Sequence, residues 1–176
     1  MGNTRRNFIK KTSLGTIGLT SSSSNFFVGE NILGANDRIN CAVVGVRSRG
    51  KAHAAAIDSQ NNSKIIFNCD VDDIIIEDHN KWCKKNIGYV PKIEKDFRKL
   101  IENKDLDAVF IATPEHWHAH MTIMASQAGK HVYIEKPCSH NLYENELLAV
   151  AQKKYGTKIQ MGNQQRSAIT SILAID

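Results

Sequence analysis

The sequence predicts an α/β fold, a doubly wound parallel sheet with helices on both faces, with a second domain essentially absent. Three observations predict it. From Arg38 onward, short apolar and β-branched runs alternate with amphipathic stretches of helical period, the pattern of successive right-handed strand–helix–strand crossovers. A glycine-bounded turn, Gly45-Val46-Arg47-Ser48-Arg49-Gly50, comes straight off the first run and opens the first helical stretch. An acid, Asp70, closes the second run twenty residues after Gly50. A length of 176 residues fits one domain with a short appendage. The expected division is a leader over 1–35, a main domain over 36–162, and the start of a further domain over 163–176.

The elements follow in order. Ile39–Val44 is almost wholly apolar, as a strand buried on both faces must be. A helix is expected over Lys51–Ser59, a strand over Lys64–Cys69 and a helix over Ile74–Asn86. Ile93, Phe97, Leu100 and Ile101 fall at helical spacing and predict a helix over Ile93–Glu102. A strand over Asp107–Ala112, a helix over His118–Gln127, a strand over His131–Glu135, a helix over Leu142–Lys154 and a strand over Lys158–Met161 complete the series, with one more helix expected after Ser167.

Composition bounds the function. Hydrophobic residues make up 41% and charged residues 23%, enough apolar surface to bury a core and too much for a disordered chain. The net charge of +5 is uneven: Arg5, Arg6, Lys10 and Lys11 against Glu30 leave +3 before Asn36, and the body carries only +2. A body so nearly neutral lacks the basic footprint of nucleic-acid binding. Cys41, Cys69, Cys83 and Cys138 form no C-x-x-C pair, so neither a zinc knuckle nor a thioredoxin-like motif is present. Cys41 and Cys69 lie in apolar runs and read as small buried hydrophobes.

Thr4-Arg5-Arg6-Asn7-Phe8-Ile9-Lys10, followed by a mildly apolar Gly/Ser/Thr-rich stretch, resembles the bacterial twin-arginine export signal and implies a periplasmic protein. The competing reading is a plain basic tail, which explains the charge but not the order of residues. No run reaches the roughly 18 apolar residues of a membrane span.

The chemistry is expected at the strand ends. Gly45 allows a tight turn, Gly50 allows close helix–strand packing, and the N–H groups of Val46, Arg47, Ser48 and Arg49 lie where a Rossmann-like fold receives a pyrophosphate. Asp70 stands where an acid accepts hydrogen bonds from an adenosine ribose, which favours NAD over NADP because a carboxylate repels a 2′-phosphate, a preference softened by Arg47 and Arg49, either of which could reach a phosphate. Arg47 replaces the usual middle glycine and weakens the motif. The bland alternative is an ordinary turn with a solvated Asp70. His116, His118 and His120 suggest a metal, but alternate residues of a helix point about 200° apart, so no metal site is expected. Trp117 or His118 instead stacks on or hydrogen-bonds a cofactor, or is structural. Glu135-Lys136-Pro137 puts an ammonium at the carboxyl edge of the sheet, where Lys136 acts as acid/base or orients a substrate, or else closes a strand-end salt bridge.

Ala112-Thr113-Pro114 with His118, Ala128-Gly129-Lys130-His131-Val132-Tyr133-Ile134-Glu135-Lys136-Pro137, and Met161-Gly162-Asn163-Gln164-Gln165-Arg166 together resemble the Gfo/Idh/MocA oxidoreductase family over Arg38 to Arg166. The resemblance implies a Rossmann domain holding NAD, with Gly45–Gly50, Asp70, Thr113, Pro114, His118 and Glu135 around the dinucleotide and Lys136 near nicotinamide and substrate. It also implies a sugar, cyclitol or glycoside as substrate and a homo-oligomer in the full-length form. Members of the family are much longer, so the chain reads as a truncated cofactor-binding half. The rival is a non-catalytic nucleotide-binding or assembly module.

Overall fold

The computed structural model describes residues 38–174; the expected export signal lies outside the described residues. Six strands form one parallel sheet in the order β3-β2-β1-β4-β5-β6. They are β1 (Ile39–Val44), β2 (Ser63–Cys69), β3 (Lys92–Ile93), β4 (Ala108–Ile111), β5 (His131–Glu135) and β6 (Ile159–Gly162). The helices are α1 (Ser48–Asp58), α2 (Asp73–Asn86), α3 (Phe97–Ile101), α4 (His118–Gln127), α5 (Leu142–Tyr155) and α6 (Ile169–Leu173).

β1 is central, pairing with β2 on one side and β4 on the other, and its last four residues are fully buried. Successive side chains of a strand point to opposite faces, so β1 feeds two cores. Cys41 and Val43 join Val46, Ala54, Ile57 and Ile65 on one face. Ala42 and Val44 join Leu100, Leu106, Val109, Ile111 and Ile134 on the other. Helices α1 and α2 pack on each other, as do α4 and α5. After β3 the chain returns across the sheet to β4, so the strand order reverses between β1 and β4, which is where ligands bind in open α/β sheets.

The expected helix over Ile93–Glu102 is a correction. Lys92 and Ile93 instead extend the sheet beside Phe67 and Asn68, and the helix begins only at Phe97. Asp96 sets that start, because its carboxylate accepts the Arg98 N–H at 3.0 Å and its own backbone is extended. Asp72 and Asn141 cap α2 and α5 in the same way, and Gly156 closes α5 in the left-handed conformation at φ 69°. The first helix starts three residues earlier than expected, inside the glycine turn. Two 3₁₀ turns, Glu115–Trp117 and Gln164–Ser167, escape the period-based reading. No helix among the described residues is long and apolar enough to cross a membrane.

Candidate functional site

The carboxyl ends of β1, β2, β4 and β5 converge around the glycine turn. Gly45 has φ +82°, and a Cβ there would lie 2.6 Å from the Ala112 carbonyl oxygen and 2.8 Å from the Thr113 nitrogen. A Cβ on Gly50 would lie 2.3 Å from the Gly45 carbonyl oxygen. Both glycines are therefore required by close backbone approach. The turn leads into α1 with no side-chain cap and no acidic residue in the first turn, so the N–H groups that caps satisfy elsewhere remain available to an anion.

Asp70 sits at the end of β2 and accepts three main-chain N–H groups: Val46 at 3.0 Å, Val71 at 2.8 Å and Asp72 at 3.2 Å. A carboxylate has about four lone-pair sites, so capacity remains for a ligand hydroxyl. Asp70 thus also fixes the Val46 peptide of the glycine turn. Beneath that turn lies His79, fully buried and stacked on Trp82 with ring centroids 5.8 Å apart. Burial lowers its pKa to about 4, with the nearby Lys51 ammonium adding to the shift.

Ala112, Thr113 and Pro114 leave β4 and pass through the 3₁₀ turn into α4. His118 is 2% exposed, with Nδ1 2.6 Å from the Pro137 carbonyl oxygen and Nε2 2.8 Å from that of Thr113. Both ring nitrogens face main chain, so the side chain braces the loops after β4 and β5 against each other. Trp117, beside it, is half exposed. His116 and His120 are exposed while His118 is buried, and no group of three metal-ligating side chains lies together among the described residues.

Glu135, like Asp70, accepts three hydrogen bonds at this edge. Its Oε1 accepts Arg49 Nε–H at 2.7 Å and Gln164 Nε2–H at 2.9 Å, and its Oε2 accepts the Lys136 main-chain N–H at 3.3 Å. His53 Nε2 lies 3.1 Å from Oε1 without the alignment of a hydrogen bond. Burial lowers the pKa of His53, against an opposing pull from Glu135. Its ring lies edge-on to Tyr133 and tilted against Phe110. Lys136 is exposed, without an ion-pair partner among the described residues, and its peptide to Pro137 is cis. The adjacent charges Glu135 and Lys136 therefore point to different surroundings.

The sequence reading singled out Gln164 within a motif but gave it no role, and it missed His53 and His79. His53 carries one usable signal, its spacing of four from Arg49 on one helix, which puts both on the face toward β5. Elsewhere, a cavity of about 910 Å³ opens near Arg38, Lys64, Tyr89 and Asp107, at the amino ends of the strands and away from all these groups.

A family model described as an oxidoreductase family with an NAD-binding Rossmann fold matches residues 39–163. The chain belongs to the Gfo/Idh/MocA oxidoreductase family. An oxidoreductase of Bacillus subtilis is 31% identical over 129 residues, covering 73% of this chain and 36% of that protein. A glycosyl hydrolase family 109 protein of Parabacteroides distasonis is 28% identical over 160 residues, covering 82% of this chain and 34% of that protein. The crystal structure of scyllo-inositol dehydrogenase from Lactobacillus casei with bound NAD(H) and scyllo-inositol superposes with a TM-score of 0.67 at 29% identity, covering 78% of this chain and 39% of that one. The chain thus spans little more than a third of the length of these relatives. For a Gfo/Idh/MocA domain the residues present fit the cofactor: a turn closed to any Cβ, an uncapped helix start, and an acid at the end of β2.

Proposed function

We propose that this chain is the NAD-holding part of an exported, periplasmic oxidoreductase that acts on a cyclitol or related sugar, with Lys136 orienting or deprotonating a substrate hydroxyl. One observation carries the reading: the glycine turn is held between the end of β4 and Asp70, so uncapped amides and a ribose-reading carboxylate face one site. NAD, when bound, accepts hydride from a substrate C–H. The turn and the start of α1 hold the diphosphate, Asp70 accepts the ribose hydroxyls, and Lys136 stands at the nicotinamide end. Thr113, Pro114 and Trp117 supply the wall from β4, with His118 bracing it.

The family 109 glycosyl hydrolase relative supports a second reading, in which the redox step serves glycoside cleavage. Titration of the purified chain with NAD and NADP tests the cofactor reading, with tighter binding of NAD expected. Replacing Arg5 and Arg6 together by Lys tests export: the charge is kept, the paired guanidinium groups are lost, and retention in the cytoplasm is expected. Unchanged fractionation would leave the segment a basic tail.

A further inference from the structure

Three cations crowd the start of α1: Arg47, Arg49 and Lys51. Positive charge at a helix N-terminus is unfavourable unless it is neutralised, since the helix dipole is itself positive there. Lys51 is paired with Asp78 on α2. Arg49 is paired with Glu135, which is 7% exposed, and the same carboxylate oxygen takes Gln164 Nε2–H. Arg47 is exposed and has no carboxylate partner among the described residues.

We propose that Arg49 is a positioning residue acting through Glu135, and that Arg47 is the side chain of this turn that meets a dinucleotide phosphate. The inference rests on the dinucleotide reading above. Glu135 joins three segments: α1 through Arg49, the loop after β6 through Gln164, and its own strand end through the Lys136 N–H. Through that carboxylate Arg49 ties the glycine turn to the main chain that carries Lys136. A guanidinium bound at 2.7 Å to a buried carboxylate is neutralised, and turning it toward a phosphate would leave Glu135 buried beside His53 without its cation. Arg47 carries no such constraint.

The full chain is titrated with NAD by calorimetry at low and high salt, as wild type, Arg47→Gln, Arg49→Gln, Arg49→Lys, Glu135→Gln and the Arg49→Gln/Glu135→Gln double variant, with thermal melting as a folding control. If Arg49 acts through Glu135, the double variant loses no more affinity than the worse single variant, because groups that share one interaction are not additive. Arg47→Gln is expected to lose about tenfold in affinity at low salt and to flatten the salt dependence, as removal of an exposed charge–phosphate contact must. Arg49→Gln is expected to keep the wild-type salt dependence, and Arg49→Lys to recover most of the affinity. Losses for Arg49→Gln and Glu135→Gln that multiply in the double variant would overturn the proposal. If Glu135→Gln does not fold, a flattened salt dependence in Arg49→Gln alone overturns it. A wild-type chain that binds no NAD overturns the dinucleotide reading, and this inference falls with it.

Discussion

At the scale of single residues, Asp70 does two jobs with one carboxylate. It orders the glycine turn through Val46 N–H and keeps acceptor capacity for a ribose. On the proposed reading, in which Asp70 repels a 2′-phosphate, Asp70→Ala is expected to weaken NAD binding by roughly 1–3 kcal/mol and to narrow the preference over NADP. Titration with both cofactors checks this, and an unchanged ratio of affinities would remove Asp70 from the site. His79 gives a prediction about pH. Its pKa is lowered to about 4 in the folded state, against an ordinary value of 6.5, so the unfolded chain binds the extra proton first as pH falls. Stability is then untouched above pH 6.5 and is lost progressively between 6.5 and about 4, by something on the order of 3 kcal/mol. Urea unfolding at a series of pH values reads that loss, and His79→Leu should flatten the curve in that window. The places of Asp70 at the end of β2 and of the two glycines in the turn after β1 are legible in the sequence, because a strand end and a fixed interval announce them. Arg49 and Gln164 were not legible as partners of Glu135, since they stand 86 and 29 residues from it and only the strand order brings them together.

At the scale of elements, the reading succeeds where one period dominates and fails where a cap or an edge pairing intervenes. β1 and β5 lie where apolar pattern alone places them, because each is buried enough for the pattern to be unambiguous. The stretch after Pro91 misleads: Ile93 supplies a helical interval to Phe97, yet its main chain pairs with Asn68 and Asp96 forbids an earlier helix start. The glycine turn offers a test that separates conformation from contact. Gly45 and Gly88 have nearly the same φ, +82° and +81°, but a Cβ on Gly88 meets nothing within 4 Å, whereas one on Gly45 meets the main chain of β4's end. Gly88→Ala is expected to cost about 1 kcal/mol from the left-handed backbone alone. Gly45→Ala should cost more, because Ala112 and Thr113 must move, and should abolish NAD binding as well. Denaturant midpoints of the two variants decide it, and equal losses would mean that the turn and β4 are not in close approach. After the carboxyl end of β5, Asn141→Ala removes the acceptor of the Glu144 N–H and should cost about 0.5–2 kcal/mol by the same measurement.

At the scale of the whole molecule, the alternation of strands and helices was sufficient to predict a single parallel sheet, and the strand reversal between β1 and β4 explains why residues distant in sequence meet at one edge. The glycine turn, Asp70 and the Glu135–Lys136 strand end belong to three different strands, so a ligand touching all of them bridges parts already tied by main-chain pairing, by the Asp70–Val46 N–H bond and by the Arg49–Glu135 contact. A ligand that binds only the folded state raises its stability by mass action, by about 2.7 kcal/mol at a concentration one hundred times Kd. For a domain of this size each kcal/mol moves Tm by several degrees, so saturating NAD should raise the melting temperature by on the order of 10 °C. On the proposed reading, in which Asp70 opposes a 2′-phosphate and the groups at this edge hold the dinucleotide, NADP at the same concentration should raise it less and scyllo-inositol alone should leave it unchanged. Melting curves with each compound in parallel decide the matter. A shift from NAD that disappears in Gly45→Ala would place the stabilisation at the glycine turn, and a larger shift from NADP than from NAD would reverse the cofactor preference assigned to Asp70.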